Sequence, residues 1–256
     1  MNKDLLQFAK STAREAGDLL VEGLGEERKV SHKTGPTDLV TQYDRASQEL
    51  IVEKIQKTYP DHSILAEEEF GVEKSKTKWV VDPLDGTTNY VYNYPLFGVS
   101  IAVEFEGEVV VGVVHIPLLD ETFSAVKSEG AKLNGAGISV SDTTGVSRSL
   151  LSTGFPYDPE LVPEALEAFS RLVRKSRGIR RDGAAAPDLS FVAAGRFDGF
   201  WELGLSPWDV AAGSLIVVEA GGKVTDFAGD PFDIYDSRGI VATNGKNHRE
   251  LLQKLT

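Results

Sequence analysis

Apolar positions recur at helical spacing from the start of the chain. Leu5-Leu6, Phe8-Ala9, Thr12-Ala13, Ala16 and Leu19-Leu20 form one stripe, which Gly23 and Gly25 stop. A polar, turn-rich segment (31–44) follows, and Ala46, Leu50, Ile51 and Ile55 then mark a second helix ended by Pro60. The period changes after that. Ser63–Ala66 and Trp79–Val81 read as short buried strands, each running straight into carboxylates. FGVSIAVEF, VVVGVVHIP and ETFSAV, within Phe97–Val126, predict successive strands separated by turns. LLSTGF (150–155) predicts another strand, with helices over 158–175 and 187–194 on either side of RGIRR. The last third reads as strand (FDGFWEL), helix (WDVAAGSLIVVEAGG), strand (KVT), strand (GIVAT) and a C-terminal helix. With no linker, repeat or low-complexity tract, this mixture predicts a layered α/β or α+β body.

Length and charge narrow the classes. At 256 residues the chain suits one large domain or two small ones. We expect a single domain over 1–256 with two sub-halves, about 1–145 and 146–256, sharing one site. The net charge of −12 argues against a direct nucleic-acid grip, which needs a basic surface to displace phosphate counterions. No stretch approaches the ~20 apolar residues of a membrane span, and MNKDLLQFAK lacks the apolar core of a signal peptide. The expectation is a cytoplasmic protein without membrane contact. The absence of cysteine excludes disulfides, thiolate metal sites and a Cys nucleophile. His32, His62, His115 and His248 form no evident cluster in the sequence.

The strongest chemical signal is Trp79-Val80-Val81-Asp82-Pro83-Leu84-Asp85-Gly86-Thr87-Thr88-Asn89. A buried strand ends in two aspartates separated by a proline that restricts both itself and the residue before it. At a tight turn the two carboxylates can converge, while Gly86 and Thr87 offer backbone N–H groups to an anion. Carboxylates beside an anion nest repel phosphate unless a hard cation lies between, and Mg²⁺ with its oxygen preference suits that place. An ordinary polar turn at a strand end is the competing reading. Glu67-Glu68-Glu69, at the end of the preceding strand, reads equally as an acidic loop or as the rest of a metal site. Asp209 stands where a helix begins: an N-cap, or a buried carboxylate that needs a partner.

These residues resemble the inositol monophosphatase family. The resemblance rests on WVVDPLDGTTNY (79–90) and WDVAAGSLIVVEAGG (208–222). Lys33, Asp38, Asp44, Glu67-Glu68, Gly183-Ala184-Ala185 and Glu202 support it almost end to end. The resemblance implies the layered αβαβα sandwich shared with fructose bisphosphatases, a homodimer, and lithium-sensitive hydrolysis of small phosphate monoesters with two or three Mg²⁺ ions. Glu67, Asp82, the Leu84 carbonyl, Asp85 and Asp209 would hold metal. Thr87 with Asp44 would activate the attacking water, and Glu68 would help hold a water on the metal. Gly86 and Thr87 would contact phosphate, and Asp85, Ala185, Glu202 and Asp209 the substrate's hydroxyls.

Within that class the substrate is a small phosphorylated polyol or sugar. Inositol 1-phosphate leads, with fructose 1,6-bisphosphate, a nucleotide 3′-phosphate or NADP as alternatives. The run 171–181 carries six cations and no acid, and Arg180 is the candidate contact for a second phosphate; a solvated helix face is the plainer account. A different class is a non-catalytic protein of this fold in a transcription or RNA-processing complex. A Ca²⁺ binder would need EF-hand spacing, which the chain lacks.

Overall fold

The computed structural model describes residues 2–27, 30–32, 39–67, 70–72, 75–236 and 238–255. Lys33, Asp38 and Glu68 lie outside the described residues. Helix α1 (Asn2–Glu22) turns Leu5, Ala9, Ala13, Ala16 and Leu20 inward, as its stripe predicts. Strands β1 (Val30–His32) and β2 (Leu39–Thr41) pair antiparallel ahead of helix α2 (Gln42–Thr58). The periodicity placed the start of α2 near Ala46; a capping box starts it at Gln42. The Thr41 hydroxyl accepts from the Tyr43 N–H, and the Asp44 carboxylate accepts from the Thr41 N–H at 2.8 Å.

Strands β3 (Ser63–Ala66), β4 (Phe70–Val72) and β5 (Thr77–Asp85) follow, then the short helix α3 (Thr87–Val91). Next come β6 (Gly98–Phe105), β7 (Glu108–Ile116), β8 (Glu121–Val126), β9 (Ala131–Leu133) and β10 (Ala136–Gly137). From β3 to β10 they make an eight-stranded sheet in the order β10-β9-β8-β7-β6-β5-β3-β4, antiparallel except where β3 runs beside β5. The chain continues with β11 (Leu150–Thr153), α4 (Val162–Val173), β12 (Gly178–Arg180) and α5 (Ala185–Ala193). It ends with β13 (Gly199–Leu203), α6 (Pro207–Glu219), β14 (Lys223–Thr225), β15 (Gly239–Thr243) and α7 (His248–Leu255). These strands form a five-stranded sheet, β12-β11-β13-β15-β14. Helix α5 begins two residues before the expected 187. Pro187 is tolerated there because the first turn asks no N–H of it.

Alternation along the strands builds the layers. On β5, Trp79 and Val81 join α1 and α2 in one core, while Val80 between them joins α5 and α6 in another. On the second sheet, Phe200, Ile240 and Ala242 face that same α5–α6 core. Trp201 and Val241 face the opposite way, into a third core with Leu172 of α4 and Leu251 of α7. A strand buried on both faces is mostly apolar, and β6 and β7 are so, with Ser100, Glu104 and His115 as buried polar exceptions. The result is a sandwich of helix, sheet, helix, sheet and helix layers, with α5 and α6 between the sheets. Among the described residues no helix is long and apolar enough to cross a membrane.

Candidate active site

The aspartate motif is a strand with a bulge in it. In a regular strand, residues three apart point to opposite faces. Here Asp82 lies opposite Ser100 and Asp85 opposite Gly98, so Pro83 and Leu84 together face the single residue Val99. That extra residue is a β-bulge, and it returns Asp85 to the side of Asp82. Local chemistry favours it: Pro83 has no N–H for the ladder, and its carbonyl accepts from the Ser47 hydroxyl at 2.8 Å. The Leu84 N–H folds back onto Asp82 Oδ1 at 3.0 Å. Asp82 and Asp85 thereby line one cavity together with Glu67, Thr87 and Asp209.

Gly86 then turns the chain at φ 91°, and a Cβ there would stand 3.1 Å from Ala184 Cβ, so glycine is required twice over. The Gly86 N–H lowers the Asp85 carboxyl, alongside those of Ala186 and Ala185. Thr87 opens α3, its hydroxyl 2.8 Å from Asp44 Oδ1 and 3.1 Å from the Leu84 carbonyl. The single hydroxyl proton goes to the nearer, carboxylate oxygen. Asp44 is wholly buried, and its other oxygen accepts from both the N–H and the hydroxyl of Thr41. Asp209 occupies the third position of α6, not the N-cap, and accepts from the Ser206 N–H at 2.7 Å. Both acids are therefore capping-box residues with one oxygen held by backbone.

The opposite wall comes from the second sheet and α5. Glu202 on β13 and Asp188 on α5 are buried there, with Ala185 at the start of the helix and Arg181 beside them. A Cβ on Gly154, after β11, would come within 2.0 Å of Glu202 Oε1, so only glycine leaves room for that carboxylate. Hydrogen bonds join the walls, among them Ala186 N–H to Asp85 Oδ2 at 2.6 Å and the Asn89 amide to the Asp182 carbonyl at 2.7 Å. Arg180 does not line this cavity. As an outward residue of edge strand β12 it is exposed, its guanidinium on the Ile179 carbonyl, and the next residue, Arg181, takes the place expected of it. Gly154, Arg181 and Asp188 were missed by the motif reading. Asp188 did leave a signal: a lone acid in an otherwise apolar helix, AAAPDLSFVA.

The acids disturb one another. Asp82 is raised well above the usual carboxylate range by burial, then by Glu67, Asp85 and Asp209. Burial also raises Asp209, assisted by Asp85 and Glu67. Asp85 is pushed up to about 7 by burial, although backbone N–H donors, Ala186 foremost, pull the other way. Burial pushes Glu202 up to about 8 against the pull of Arg181. Among the described residues these acids ring the cavity and do not close into a tight group of three. Glu68, the remaining acid of the expected site, is not described.

The sequence model of the inositol monophosphatase family matches residues 1–256. The chain is 43% identical over 253 residues to the inositol-1-monophosphatase of Synechocystis, covering 98% of this chain and 88% of that protein. It is 42% identical over 257 residues to the Nus factor SuhB of Pasteurella multocida, covering 98% and 95%. The crystal structure of the extragenic suppressor protein suhB from Bartonella henselae superposes with a TM-score of 0.95 at 39% identity, covering 99% of this chain and 98% of that one.

Proposed function

The chain belongs to the inositol monophosphatase family, and from that premise we propose that it hydrolyses small phosphate monoesters with Mg²⁺, inositol 1-phosphate foremost. The observation that carries the reading is the Thr87–Asp44 hydrogen bond, set in the cavity that Asp82, Asp85, Glu67 and Asp209 line. A half-buried hydroxyl that donates to a wholly buried carboxylate can relay a proton: Thr87 Oγ1 would take one from a water while giving its own to Asp44 Oδ1.

The residues present fit a hard divalent cation. All the donors are oxygens, and burial followed by mutual repulsion raises Asp82 and Asp209, a cost that a bound cation relieves. Backbone N–H groups hold one oxygen of Asp82 and one of Asp209, while among the described residues the other oxygen of each carries no hydrogen bond. Asp82, Asp85, Asp209, Glu67 and the Leu84 carbonyl would hold the metal. When bound, Mg²⁺ supplies charge neutralisation for the phosphate and lowers the pKa of water. The chain's own contribution is orientation. The bulge aims two aspartates at one point, Gly86 and Thr87 border the phosphate position, and Ala185 and Glu202 border the alcohol.

The test is direct. Protein freed of metal by chelation should not turn over inositol 1-phosphate, and added Mg²⁺ should restore turnover. Substantial turnover in excess chelator would overturn the metal assignment, and none with Mg²⁺ would overturn the phosphatase reading. Fructose 1,6-bisphosphate is the second substrate to assay, and millimolar Li⁺ the inhibitor. A homodimer is proposed on family grounds, with sedimentation as its measurement.

A second reading is a binding role in a transcription or RNA-processing complex. It is favoured by the name of the Pasteurella relative, whose identity to this chain matches that of the inositol-1-monophosphatase. That name also removes the ground for excluding nucleic acid on charge alone. The two roles are compatible, and loss of turnover in a Thr87 variant with retained complex formation would separate them.

A further inference from the structure

Helix α1 carries its charges on separate arcs. Seven and four residues apart, Lys3, Lys10 and Arg14 fall within about 40° of one another and make a row about 16 Å long. The acids Asp4, Glu15, Asp18 and Glu22 occupy the neighbouring arc, where Glu15 pairs with Lys54 of α2. A fourth cation joins the row from the first sheet. Arg14 Nε donates to the Thr122 hydroxyl of β8 at 3.1 Å, which identifies the face of the sheet that α1 covers there. Ser124, two residues on, shares that face, and its cross-strand partner is Lys132 of β9.

The fold itself gives no reason for this grouping. Lys3 sits in the first turn of α1, where the helix dipole opposes a cation, and Lys10 and Arg14 are a like-charged pair one turn apart. Lys10 is half-buried, and its ammonium is lowered by burial, then by Arg14 and Lys132. Among the described residues Lys3, Lys10 and Lys132 have no hydrogen bond or ion pair, in a chain with 39 acids against 27 Lys and Arg together. Cations gathered without counter-charges on an acidic protein suit an anion from outside. The basic run 171–181 is dispersed by comparison. Arg171 bonds Glu167 and the Leu255 carbonyl, Arg180 bonds the Ile179 carbonyl, and Arg181 lines the cavity.

We propose that Lys3, Lys10, Arg14 and Lys132 form a docking site for a linear chain of phosphate groups, either the backbone of a single-stranded nucleic acid or inorganic polyphosphate. Separate cations in a row match a ligand of repeating charge, whereas one compact anion suits a closed nest of donors. Gln7 and Ser11 stand beside the row without an exposed aromatic or large aliphatic side chain, so nothing there stacks on a base or anchors a peptide. None of the four cations lines the catalytic cavity, and the proposal is independent of the phosphatase reading.

The experiment titrates the full chain by calorimetry with oligouridylate and, separately, with inorganic polyphosphate. Mg²⁺ is left out, so that the carboxylate cavity repels phosphate. At least one ligand should bind at low salt, with the logarithm of affinity falling linearly in the logarithm of salt concentration. Lys3→Gln, Lys10→Gln and Lys132→Gln combined should flatten that slope by about 2, and Lys132→Gln alone by about 0.7, the value of one phosphate contact on a single strand. Arg174→Gln, Lys175→Gln and Arg177→Gln combined, which removes the same charge elsewhere, should leave the slope nearly unchanged. The ligand that binds more tightly at physiological salt identifies the source of the phosphate chain. No binding of either ligand at low salt, an equal loss in the two triple variants, or polyglutamate binding as well as the phosphate chains would overturn the proposal. Turnover of inositol 1-phosphate with Mg²⁺ is a separate measurement, so the phosphatase reading stands or falls without it.

Discussion

The two walls of the cavity are built in opposite ways. Asp82, Leu84, Asp85, Gly86 and Thr87 come from six consecutive residues. Their geometry follows from a proline without an N–H, an aspartate that accepts from the backbone two residues on, and a glycine in the left-handed region. Gly154, Arg181, Asp188 and Glu202 come from four separate places around the second sheet and meet only because α5 is packed between the layers. A wall made by one bulge keeps its geometry as a unit, which suits the part that does chemistry. A gathered wall can change one member at a time, which suits the part that selects the alcohol.

That contrast is open to attack at several points. The largest effect should come from the bulge: Asp82→Asn leaves shape and the Leu84 hydrogen bond in place but removes a metal-positioning charge. It should lower kcat on the order of 10³-fold or more with little change in thermal unfolding. Near wild-type kcat at saturating Mg²⁺ would remove Asp82 from the ligand set.

Thr87→Ala should cost about 10²-fold in kcat, the usual scale of a lost acid–base relay, with KM moving far less. Thr87→Ser keeps the hydroxyl against Asp44 and should recover much of it. Equal rates for the alanine and serine variants would show that the hydroxyl relays nothing.

On the gathered wall, Glu202→Gln should be read as stability against pH in metal-free protein. Glu202 is pushed up to about 8, so the folded state binds the proton more tightly than the unfolded chain. The stability this contributes is complete below the unfolded value near 4.5 and is lost as pH rises through about 8. Denaturant titrations should find the glutamine variant gaining on the wild type by on the order of 2 kcal/mol between pH 4.5 and pH 7. Parallel pH profiles would mean that Glu202 is ionised and paired in the folded protein.

The smallest effect separates adjacent arginines. Arg181→Ala should raise KM for inositol 1-phosphate severalfold, whereas Arg180→Ala, outside the cavity, should change it by less than about twofold. The reverse order would return the substrate contact to Arg180.

The sequence by itself determined the chemistry of the bulged wall and the layering of the fold. Both depend on short-range rules. Period-2 and period-3.6 apolar patterns assign faces within one element, and Asp-Pro-Leu-Asp-Gly-Thr restricts its own backbone. Helix starts shifted by a few residues where a capping box or a first-turn proline took over from periodicity, as at Gln42 and Ala185. The basic run could not reveal which arginine turns inward, because neighbouring residues at a strand end differ by one step of the pleat and only the packed edge distinguishes them. Asp188 was visible as an oddity in an apolar helix, but its apposition to Glu202 was not. That meeting, and the one between Thr87 and Asp44 across 43 positions, depends on how the sheets and helices stack. Tertiary structure decided them because a side chain's environment in a sandwich is set mostly by elements distant in sequence.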